Sequence, residues 1–249
     1  MPSRIHIIAG PTASGKSARA IAYAQAHHGV ILNADATQLY ADLRIVSARP
    51  NEAEMEGVPH CLYGIAGGQE RVSAGWWLER VEPEIRQAWQ ESKLPILCGG
   101  TGLYIKTLKE GISPMPEVPA AVRADVTAEL QRIGKDAFFA KLEQDDPAGA
   151  AHVGPHNTQR LIRAREVWAA SGKPFSYWLA QPRQPLFPQA DYTVEILSPP
   201  REELYARCDA RFDAMMEQGA VEEVQALLAK GYDPSLPVMK AVGVPELSA

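Results

Sequence analysis

Cysteine is scarce in this sequence, and long hydrophobic runs are absent from it. The 249 residues include three cysteines, Cys61, Cys98 and Cys208, which lie far apart and in apolar surroundings. An odd number of scattered cysteines does not suit a disulfide framework or a zinc site and is typical of reduced thiols in the cytoplasm. No stretch approaches the roughly 18 consecutive apolar residues of a membrane-spanning helix. We therefore expect a cytoplasmic protein with no membrane segment.

Charge of either sign is not in large excess. The chain has 25 Lys and Arg residues against 30 Asp and Glu residues, and its formal net charge is -5. This mild acidity argues weakly against a surface devoted to nucleic acid, but local basic patches stay open. Hydrophobic residues make up 46% of the chain and charged residues 22%, which excludes disorder of the whole chain. We expect a monomer with one large domain, or with a core and a smaller insertion.

Short apolar segments alternate with helical patterns in the first hundred residues. Helices are predicted over 16–26 and 76–90, and Pro83 should kink or break the second one. Strands are predicted at 4–9, 30–33, 94–98 and, much later, 192–197. This alternation predicts an α/β fold with a parallel sheet that helices cover on both faces. Phosphate-binding elements should then lie at the carboxyl ends of the strands.

The pattern changes between the third and the fourth predicted strand. Proline-rich segments at 113–119 and 181–188 enclose sequence with a helical periodicity. Proline-rich segments of this kind are stiff linkers that do not suit central strands. We predict a helical insertion over 116–189 within an α/β core formed by 1–115 and 190–249.

The segment 10–17 contains the clearest functional motif. It reads Gly10-Pro11-Thr12-Ala13-Ser14-Gly15-Lys16-Ser17 and matches G-x-x-x-x-G-K-[ST] in full, after a strand and at the start of a helix. The glycines allow a tight loop whose backbone N–H groups surround a di- or triphosphate. Lys16 would supply a positive charge, and Ser17 would ligate Mg²⁺. We predict a phosphate-binding loop that uses magnesium.

The usual companions of a nucleotide-hydrolysing phosphate loop are missing from the sequence. The strand at 94–98 ends in two glycines rather than in an acid that could hold Mg²⁺. Asp35 ends the second predicted strand instead, within the polar segment 33–40. One interpretation is that Asp35 caps the next helix. The other is a carboxylate within reach of the phosphate loop that accepts a proton.

Several blocks, in order along almost the whole chain, resemble the tRNA dimethylallyltransferases. Apart from the phosphate loop they are 33–40, 57–60, 99–104, 159–164 and 201–205, the last followed by Arg207 and Arg211. This family transfers a dimethylallyl group from dimethylallyl diphosphate to N6 of the adenosine 3′ of the tRNA anticodon, position 37. The resemblance implies a P-loop NTPase-like core whose loop holds a prenyl diphosphate rather than ATP.

The resemblance also implies catalytic roles. Asp35 is similar in position to the family's general base, which would remove the proton from the exocyclic amine of adenine. Thr101 aligns with a threonine that contacts the target nucleotide, although a plain helix cap is an alternative. Lys16, the loop N–H groups and Mg²⁺ would stabilise the leaving diphosphate, and Arg207 or Arg211 would assist.

A further set of residues would contact tRNA. Polar side chains next to Asp35 would bind the extruded adenine and its neighbours. Arg160 and Arg163 lie three apart on a predicted helix that Asn157 caps, a face suited to RNA phosphates, although a solvated helix face has the same pattern. The set predicted to bind tRNA comprises Asp35, Ala36, Thr37, Gln38, Thr101, Arg123, Gln159, Arg160, Leu161, Ile162, Arg163 and Lys240.

Two segments depart from the family pattern, and two other functions compete. Residues 46–50 read Val-Ser-Ala-Arg-Pro where the family usually has Gly-Thr-Ala-Lys-Pro, and 244–245 replace an aromatic-basic pair. A small-molecule kinase on the same core would bind ATP and need an acidic Mg²⁺ site. A tRNA-binding protein without activity would keep the basic helix but would not need Lys16, Ser17 and Asp35 together.

Overall fold

The computed structural model describes residues 3–248, which form two compact units. Within the described residues, one unit comprises 3–109 and 185–248, and the other comprises Glu110–Gln184. We call them the sheet unit and the helical unit. The bounds of the helical unit lie a few residues before the 116–189 expected for the insertion.

The sheet unit is built on five parallel strands. They are β1 (Arg4–Ala9), β2 (Gly29–Asn33), β3 (His60–Cys61), β4 (Leu94–Gly99) and β5 (Asp191–Ile196). Their order is β3-β2-β4-β1-β5, so β1 lies between β4 and β5. The predicted α/β fold with a parallel sheet is confirmed. The two-residue strand β3 was not predicted, because so short a segment has no periodicity to read.

Helices connect the strands and form the second unit. The α-helices of the described residues are α1 (Lys16–His27), α2 (Ala74–Gln90), α3 (Gly102–Glu110), α4 (Ala120–Ile133), α5 (Lys135–Asp145), α6 (Pro147–Val153), α7 (Thr158–Ser171), α8 (Phe175–Leu179), α9 (Arg201–Glu217), α10 (Ala220–Leu228) and α11 (Val244–Leu247). Two 3-10 helices span Thr37–Leu39 and Pro237–Lys240. None of the helices within residues 3–248 is both long and apolar enough to cross a membrane.

Helix α2 continues through Pro83 without the break that its sequence suggested. Proline removes one backbone N–H and crowds the carbonyl four residues earlier. Pro83 lies on the exposed face of α2, while Val81 and Ile85 on the opposite face are fully buried. Packing of the buried face against the sheet therefore holds the helix together through the proline.

Both faces of the sheet are covered by apolar side chains. Ile5, Ile7, Leu32 and Leu97 point into one core, which includes Trp77 of α2. Their neighbours along the same strands point into the second core, under α1: Ile8, Ile31, Ile96 and Cys98. Two covered faces explain why the strands read as continuous apolar runs rather than as an alternation.

The helical unit has a separate core. Phe138, Leu142, Leu161 and Val167 are fully buried in it. Helix α7, which contributes Leu161 and Val167 to this core, begins where the Oδ1 atom of Asn157 accepts a hydrogen bond from the Arg160 amide at 3.0 Å. It ends at Gly172, whose φ of 67° is left-handed. The predicted cap at Asn157 is thus confirmed.

Gly99, the last residue of β4, allows a close backbone approach to the end of β2. A Cβ atom at Gly99 would lie 2.2 Å from the carbonyl carbon and oxygen of Ala34, and the Ala34 amide donates to the Cys98 carbonyl at 2.9 Å. We expect Gly99→Ala to lower the free energy of unfolding by about 1–3 kcal/mol, because neither strand can move away without losing sheet hydrogen bonds. Urea unfolding followed by circular dichroism measures this.

Gly102→Ala is the matched control for this prediction. A Cβ atom at Gly102, in the first turn of α3, would meet no atom within 4 Å. The control should be neutral or slightly stabilising, since alanine restricts the unfolded chain. Equal losses of stability in the two variants would contradict the close approach at Gly99.

Candidate active site

The segment 10–17 forms a loop between β1 and α1. Gly15 immediately precedes α1 with φ 88° and ψ 13°, a left-handed conformation that glycine adopts without strain. A Cβ atom at Gly10 would lie 2.5 Å from the carbonyl oxygen of Leu197. The first position of the motif therefore has no room for a side chain. The loop therefore presents the N-terminus of α1, where backbone N–H groups and the helix dipole attract an anion.

Lys16 lies at the centre of this loop. Its Nζ atom donates a hydrogen bond to the carbonyl oxygen of Pro11 at 2.6 Å. Burial lowers the pKa of Lys16; Cys98 and Asp35 oppose this effect, and the positive charge of Arg211 adds to it. The charges of Asp35 and Arg211, two residues that the sequence analysis assigned to the site, therefore both affect the pKa of Lys16.

The Ser14 hydroxyl group is a buried polar atom without a partner. No described residue forms a hydrogen bond with its Oγ atom. An unpaired buried hydroxyl is unfavourable by itself, and it gains a hydrogen bond if an acceptor such as a phosphate oxygen enters the loop. Ser17, the proposed Mg²⁺ ligand, is exposed in the same loop.

Helix α9 places two arginines next to the phosphate loop. The Nη1 atom of Arg207 would lie 3.8 Å from a Cβ atom at Gly15, and Arg211 acts on the pKa of Lys16. Arg207 is also paired with Glu203 one turn earlier on α9. The structure thus brings both arginines to the loop, although their action on a diphosphate stays a prediction.

Asp35 follows β2, and a buried asparagine fixes its backbone. Asn33 is fully buried; its Nδ2 atom donates to the carbonyls of Asp35 and Leu62, each at 3.0 Å, and its Oδ1 atom accepts from the Asp35 amide at 2.8 Å. Trp77 donates from Nε1 to the Asn33 carbonyl at 2.8 Å. The position of Asp35 is therefore set by the core of the sheet unit.

The two carboxylate oxygens of Asp35 have different surroundings. Its Oδ1 atom accepts hydrogen bonds from the Thr37 amide at 3.0 Å and the Thr37 hydroxyl at 2.7 Å. Its Oδ2 atom would lie 3.6 Å from a Cβ atom at Gly100 and accepts no hydrogen bond from residues 3–248. Both interpretations of Asp35 thus have a structural basis: one oxygen orders the next turn, and the other is available to a proton donor.

Thr101 joins the ends of β2 and β4. Its hydroxyl oxygen accepts a hydrogen bond from the Ala36 amide at 2.9 Å, and its own amide donates to the Ala34 carbonyl at 3.1 Å. The Thr101 hydroxyl therefore bonds the segment after β2 rather than an amide of α3, which does not favour a plain helix cap. Its O–H group stays available to donate to another acceptor.

Gln38 is partly committed to the protein itself. Its Nε2 atom donates to the carbonyls of Ser47 and Ala48, each at 3.0 Å. That Gln38 binds the extruded adenine stays a prediction, but the Nε2 atom already has protein partners. In this conformation the amide nitrogen supports the loop 44–48, and Oε1 is the atom left to accept a hydrogen bond from a base.

Glu223 on α10 organises the same loop and was missed by sequence reasoning. Its carboxylate accepts hydrogen bonds from three consecutive amides, those of Arg44 at 2.8 Å and of Ile45 and Val46 at 2.9 Å each. Glu223 lies 177 to 179 positions along the chain from these amides, and nothing in the local sequence distinguishes it from Glu222.

The residues proposed to contact tRNA divide between the two units. In the helical unit Gln159 and Arg160 are exposed, whereas Ile162, Arg163 and Arg123 are partly exposed. Lys240 is exposed on the sheet unit. Leu161 requires a correction, because its side chain is fully buried in the helical core and cannot reach RNA.

Metal-binding side chains are not clustered in the part of the chain that the structure describes. No three His, Cys, Asp or Glu residues come together there as a metal site would require. Magnesium bound next to phosphates usually keeps several waters and takes few protein ligands. The exposed Ser17 hydroxyl lies in a loop shaped for phosphate. It fits a site at which Mg²⁺ binds next to phosphates and takes few protein ligands.

The fold and the loop define a class of protein, and comparisons with known proteins specify the family. A phosphate loop after β1 of a parallel sheet, with a carboxylate after β2, the next strand along the chain, defines a P-loop NTPase-like α/β protein. Residues 38–249 match the IPP transferase family model. The chain belongs to the IPP transferase family.

Full-length relatives and solved structures agree with this assignment. The tRNA dimethylallyltransferase of Rhodospirillum centenum is 47% identical over 98% of this chain and 77% of its own length. The tRNA dimethylallyltransferase of Methylobacterium sp. is 49% identical over 100% of this chain and 81% of its own length. The tRNA isopentenylpyrophosphate transferase of Bacillus halodurans is 28% identical, with a TM-score of 0.67 over 99% of this chain and 76% of that one. A eukaryotic dimethylallyltransferase acting on tRNA is 25% identical, with a TM-score of 0.81 over 98% of this chain and 62% of that one.

Glu223→Ala should loosen the loop 44–46. Loss of the carboxylate leaves three amides without their acceptor, and we expect a loss of about 1–3 kcal/mol of unfolding free energy together with faster hydrogen exchange at these amides. Glu222→Ala, at an exposed neighbouring position on α10, is the control. Unchanged exchange at 44–46 in the Glu223 variant would show that the carboxylate does not hold the loop in solution.

Proposed function

We propose that this chain is a tRNA dimethylallyltransferase. It moves the dimethylallyl group of dimethylallyl diphosphate to N6 of the adenosine 3′ of the anticodon, position 37, and releases diphosphate. One observation carries the proposal: the Oδ2 atom of Asp35 accepts no hydrogen bond from the described residues, and the Asp35 carboxylate raises the pKa of Lys16 in the phosphate loop. A proton acceptor next to a diphosphate site suits prenyl transfer to an amine.

Membership of the IPP transferase family favours this function over its rivals. A small-molecule kinase would also use the phosphate loop, but a kinase gives no role to Thr101, whose hydroxyl bonds the segment after β2. A tRNA-binding protein without activity would not need an unpaired carboxylate oxygen at the end of β2. The kinase remains the rival that the experiment below tests, with ATP as its ligand.

The phosphate loop would bind and activate the leaving group. As the bond between the allylic carbon and the diphosphate oxygen breaks, its electron pair stays on the diphosphate. Lys16, the loop N–H groups and the Ser14 hydroxyl can stabilise the negative charge that develops there. Arg207 and Arg211 lie next to the same loop. Mg²⁺ held by Ser17 and by diphosphate oxygens would supply further positive charge when bound.

Asp35 and Thr101 would act on the nucleophile. The exocyclic amine of adenine is weakly nucleophilic because its lone pair is delocalised into the ring, so it must lose a proton as the new C–N bond forms. The Oδ2 atom of Asp35 accepts that proton, while Asn33 holds the Asp35 backbone in place. The Thr101 hydroxyl, which already accepts from Ala36, can donate to the base. The adenine must leave its stack to reach these groups.

The helical unit would bind the tRNA backbone. Its partly or fully exposed side chains Gln159, Arg160, Arg163 and Arg123 suit phosphate contacts, which position RNA without reading its sequence. The described residues contain three free thiols, which suits work in the reducing cytoplasm, where tRNA is found. The proposal includes action as a monomer.

Asp35→Asn tests the proposed function most directly. We expect transfer of labelled dimethylallyl from its diphosphate to unmodified tRNA, in the presence of Mg²⁺, to fall by about 10²–10⁴-fold, because an amide cannot accept the proton. Binding of inorganic pyrophosphate should be retained. The measurement is incorporation of label at the target adenosine, compared between wild type and variant.

Asp191→Asn, at the exposed start of β5, is the control and should keep the wild-type rate. Transfer by Asp35→Asn at the wild-type rate would reject Asp35 as the base. Absence of label from tRNA with the wild-type chain, together with transfer of label from γ-labelled ATP to a small acceptor, would establish the kinase instead.

Arg207→Gln and Arg211→Gln test the diphosphate site. Each variant removes a positive charge beside the loop, and we expect inorganic pyrophosphate to bind about 5–30-fold more weakly by calorimetry. Arg201→Gln removes the same charge from the exposed first turn of α9, where the guanidinium contacts the Tyr205 ring, and should have little effect. Equal weakening in the three variants would indicate a general effect of charge rather than direct contact.

A further inference from the structure

Two of the arginines proposed for tRNA share one buried carboxylate. In the helical unit the Nε atom of Arg123, on α4, lies 3.2 Å from Oε1 of Glu166, on α7. The Nη1 atom of Arg163, one turn before Glu166, lies 3.7 Å from Oε2. The Glu166 side chain is 6% exposed, whereas those of Arg123 and Arg163 are 41% and 39% exposed. We call these three residues the Arg–Glu–Arg cluster.

The Arg–Glu–Arg cluster has more positive than negative groups, and the two kinds of group differ in burial. Two guanidinium groups face one carboxylate, so the cluster keeps a net positive charge. The negative group is buried and the positive groups reach the surface. Arg123 faces Glu166 through its Nε atom, and Arg163 does so through its Nη1 atom. A guanidinium group has five N–H donors, so each arginine keeps other N–H groups available. The surface of the cluster therefore presents two cations whose separation is set by a carboxylate below them.

Burial makes the carboxylate an effective anchor. A buried carboxylate is strongly unfavourable unless it is paired, and Glu166 has both partners within ion-pair distance. Long arginine side chains otherwise lose considerable rotamer freedom when they bind a phosphate. A shared buried partner restricts both side chains before RNA arrives, and it restricts them together.

We propose that Glu166 is a positioning residue that holds Arg123 and Arg163 as one two-guanidinium site for a single phosphate of the tRNA backbone. Glu166 does not touch the RNA; it acts through the two arginines. This inference rests on the proposed function, because that function makes tRNA the ligand, but it concerns RNA binding and not the chemical step.

Glu166→Gln separates positioning from simple charge by the sign of its effect. The substitution removes a negative charge from a region that binds a polyanion, so electrostatics alone would strengthen RNA binding. Loss of positioning weakens it instead. We expect unmodified tRNA to bind Glu166→Gln about 5–30-fold more weakly at constant salt, which corresponds to loss of one ordered phosphate contact.

The kinetics should show the same separation. In Glu166→Gln the KM for tRNA should rise, while kcat at saturating tRNA and the affinity for inorganic pyrophosphate should not change. Glu129→Gln is the matched control: Glu129 lies on α4 and pairs with Lys141 rather than with either arginine. That control removes the same charge from the same unit, and its tRNA binding should be unchanged or slightly tighter.

A set of arginine variants keeps the inference testable if Glu166→Gln does not fold. Arg123→Gln, Arg163→Gln and the double variant are measured for tRNA binding in the otherwise wild-type chain. A single shared site predicts that the double variant binds little worse than either single one, because both arginines serve one phosphate. Independent contacts predict that the losses add, and additive losses would overturn the inference.

The outcomes distinguish this inference from the proposed function. Folded Glu166→Gln that binds tRNA as tightly as wild type, or more tightly, overturns the positioning role and leaves the transferase untouched. A wild-type chain that binds tRNA but transfers no label overturns the proposed function, while the binding comparison still decides the role of Glu166. A wild-type chain that binds no tRNA overturns both.

Discussion

The backbone contact between the carboxyl ends of β2 and β4 determines where the reactive groups of this protein lie. Gly99 lets the end of β4 approach Ala34 so closely that no side chain fits between them. Two hydrogen bonds of Ala34, from its amide to Cys98 and to its carbonyl from Thr101, join the strand ends directly. Asp35 and Thr101 are thereby brought together on chain segments that the core of the sheet unit already fixes.

The same strand ends bring the carboxylate to the phosphate loop. Because β1 and β2 both flank β4 in a parallel sheet, the segments after all three strands lie at one edge. Asp35 accordingly raises the pKa of Lys16, and the positive charge of Arg211 lowers it. The phosphate loop and Asp35 therefore lie at the same edge of the sheet, on segments that directly follow buried strands.

Local signals in the sequence were sufficient for the elements whose form is decided locally. The phosphate loop, the strand before it and the helix after it follow from eight residues with two glycines, and the ends of α7 follow from Asn157 and Gly172. The break expected at Pro83 is absent because the opposite face of α2 is buried in the core. Leu161 was assigned to tRNA within a motif, but helical periodicity alone would have placed it in the core.

Residues that act over long sequence distances could not be found in this way. Glu223 bonds amides that precede it by 177 to 179 positions, and Glu166 pairs with an arginine 43 positions earlier. A glutamate on a helix is ordinarily a solvated surface residue, and its partner becomes visible only in the folded chain. The same holds for the amide nitrogen of Gln38, which the loop 44–48 occupies.

These buried and bound acids also explain how an acidic chain can serve two anionic substrates. The net charge of -5 counts every carboxylate equally, but Glu166 and Glu223 face protein donors and present little negative charge to a ligand. Glu166 instead pairs with two arginines that reach the surface, and Glu223 accepts hydrogen bonds from three consecutive amides of the loop that Gln38 also contacts. The formal charge therefore underestimates the positive charge that this chain presents at its surface, because part of its negative charge is paired with protein donors inside the fold.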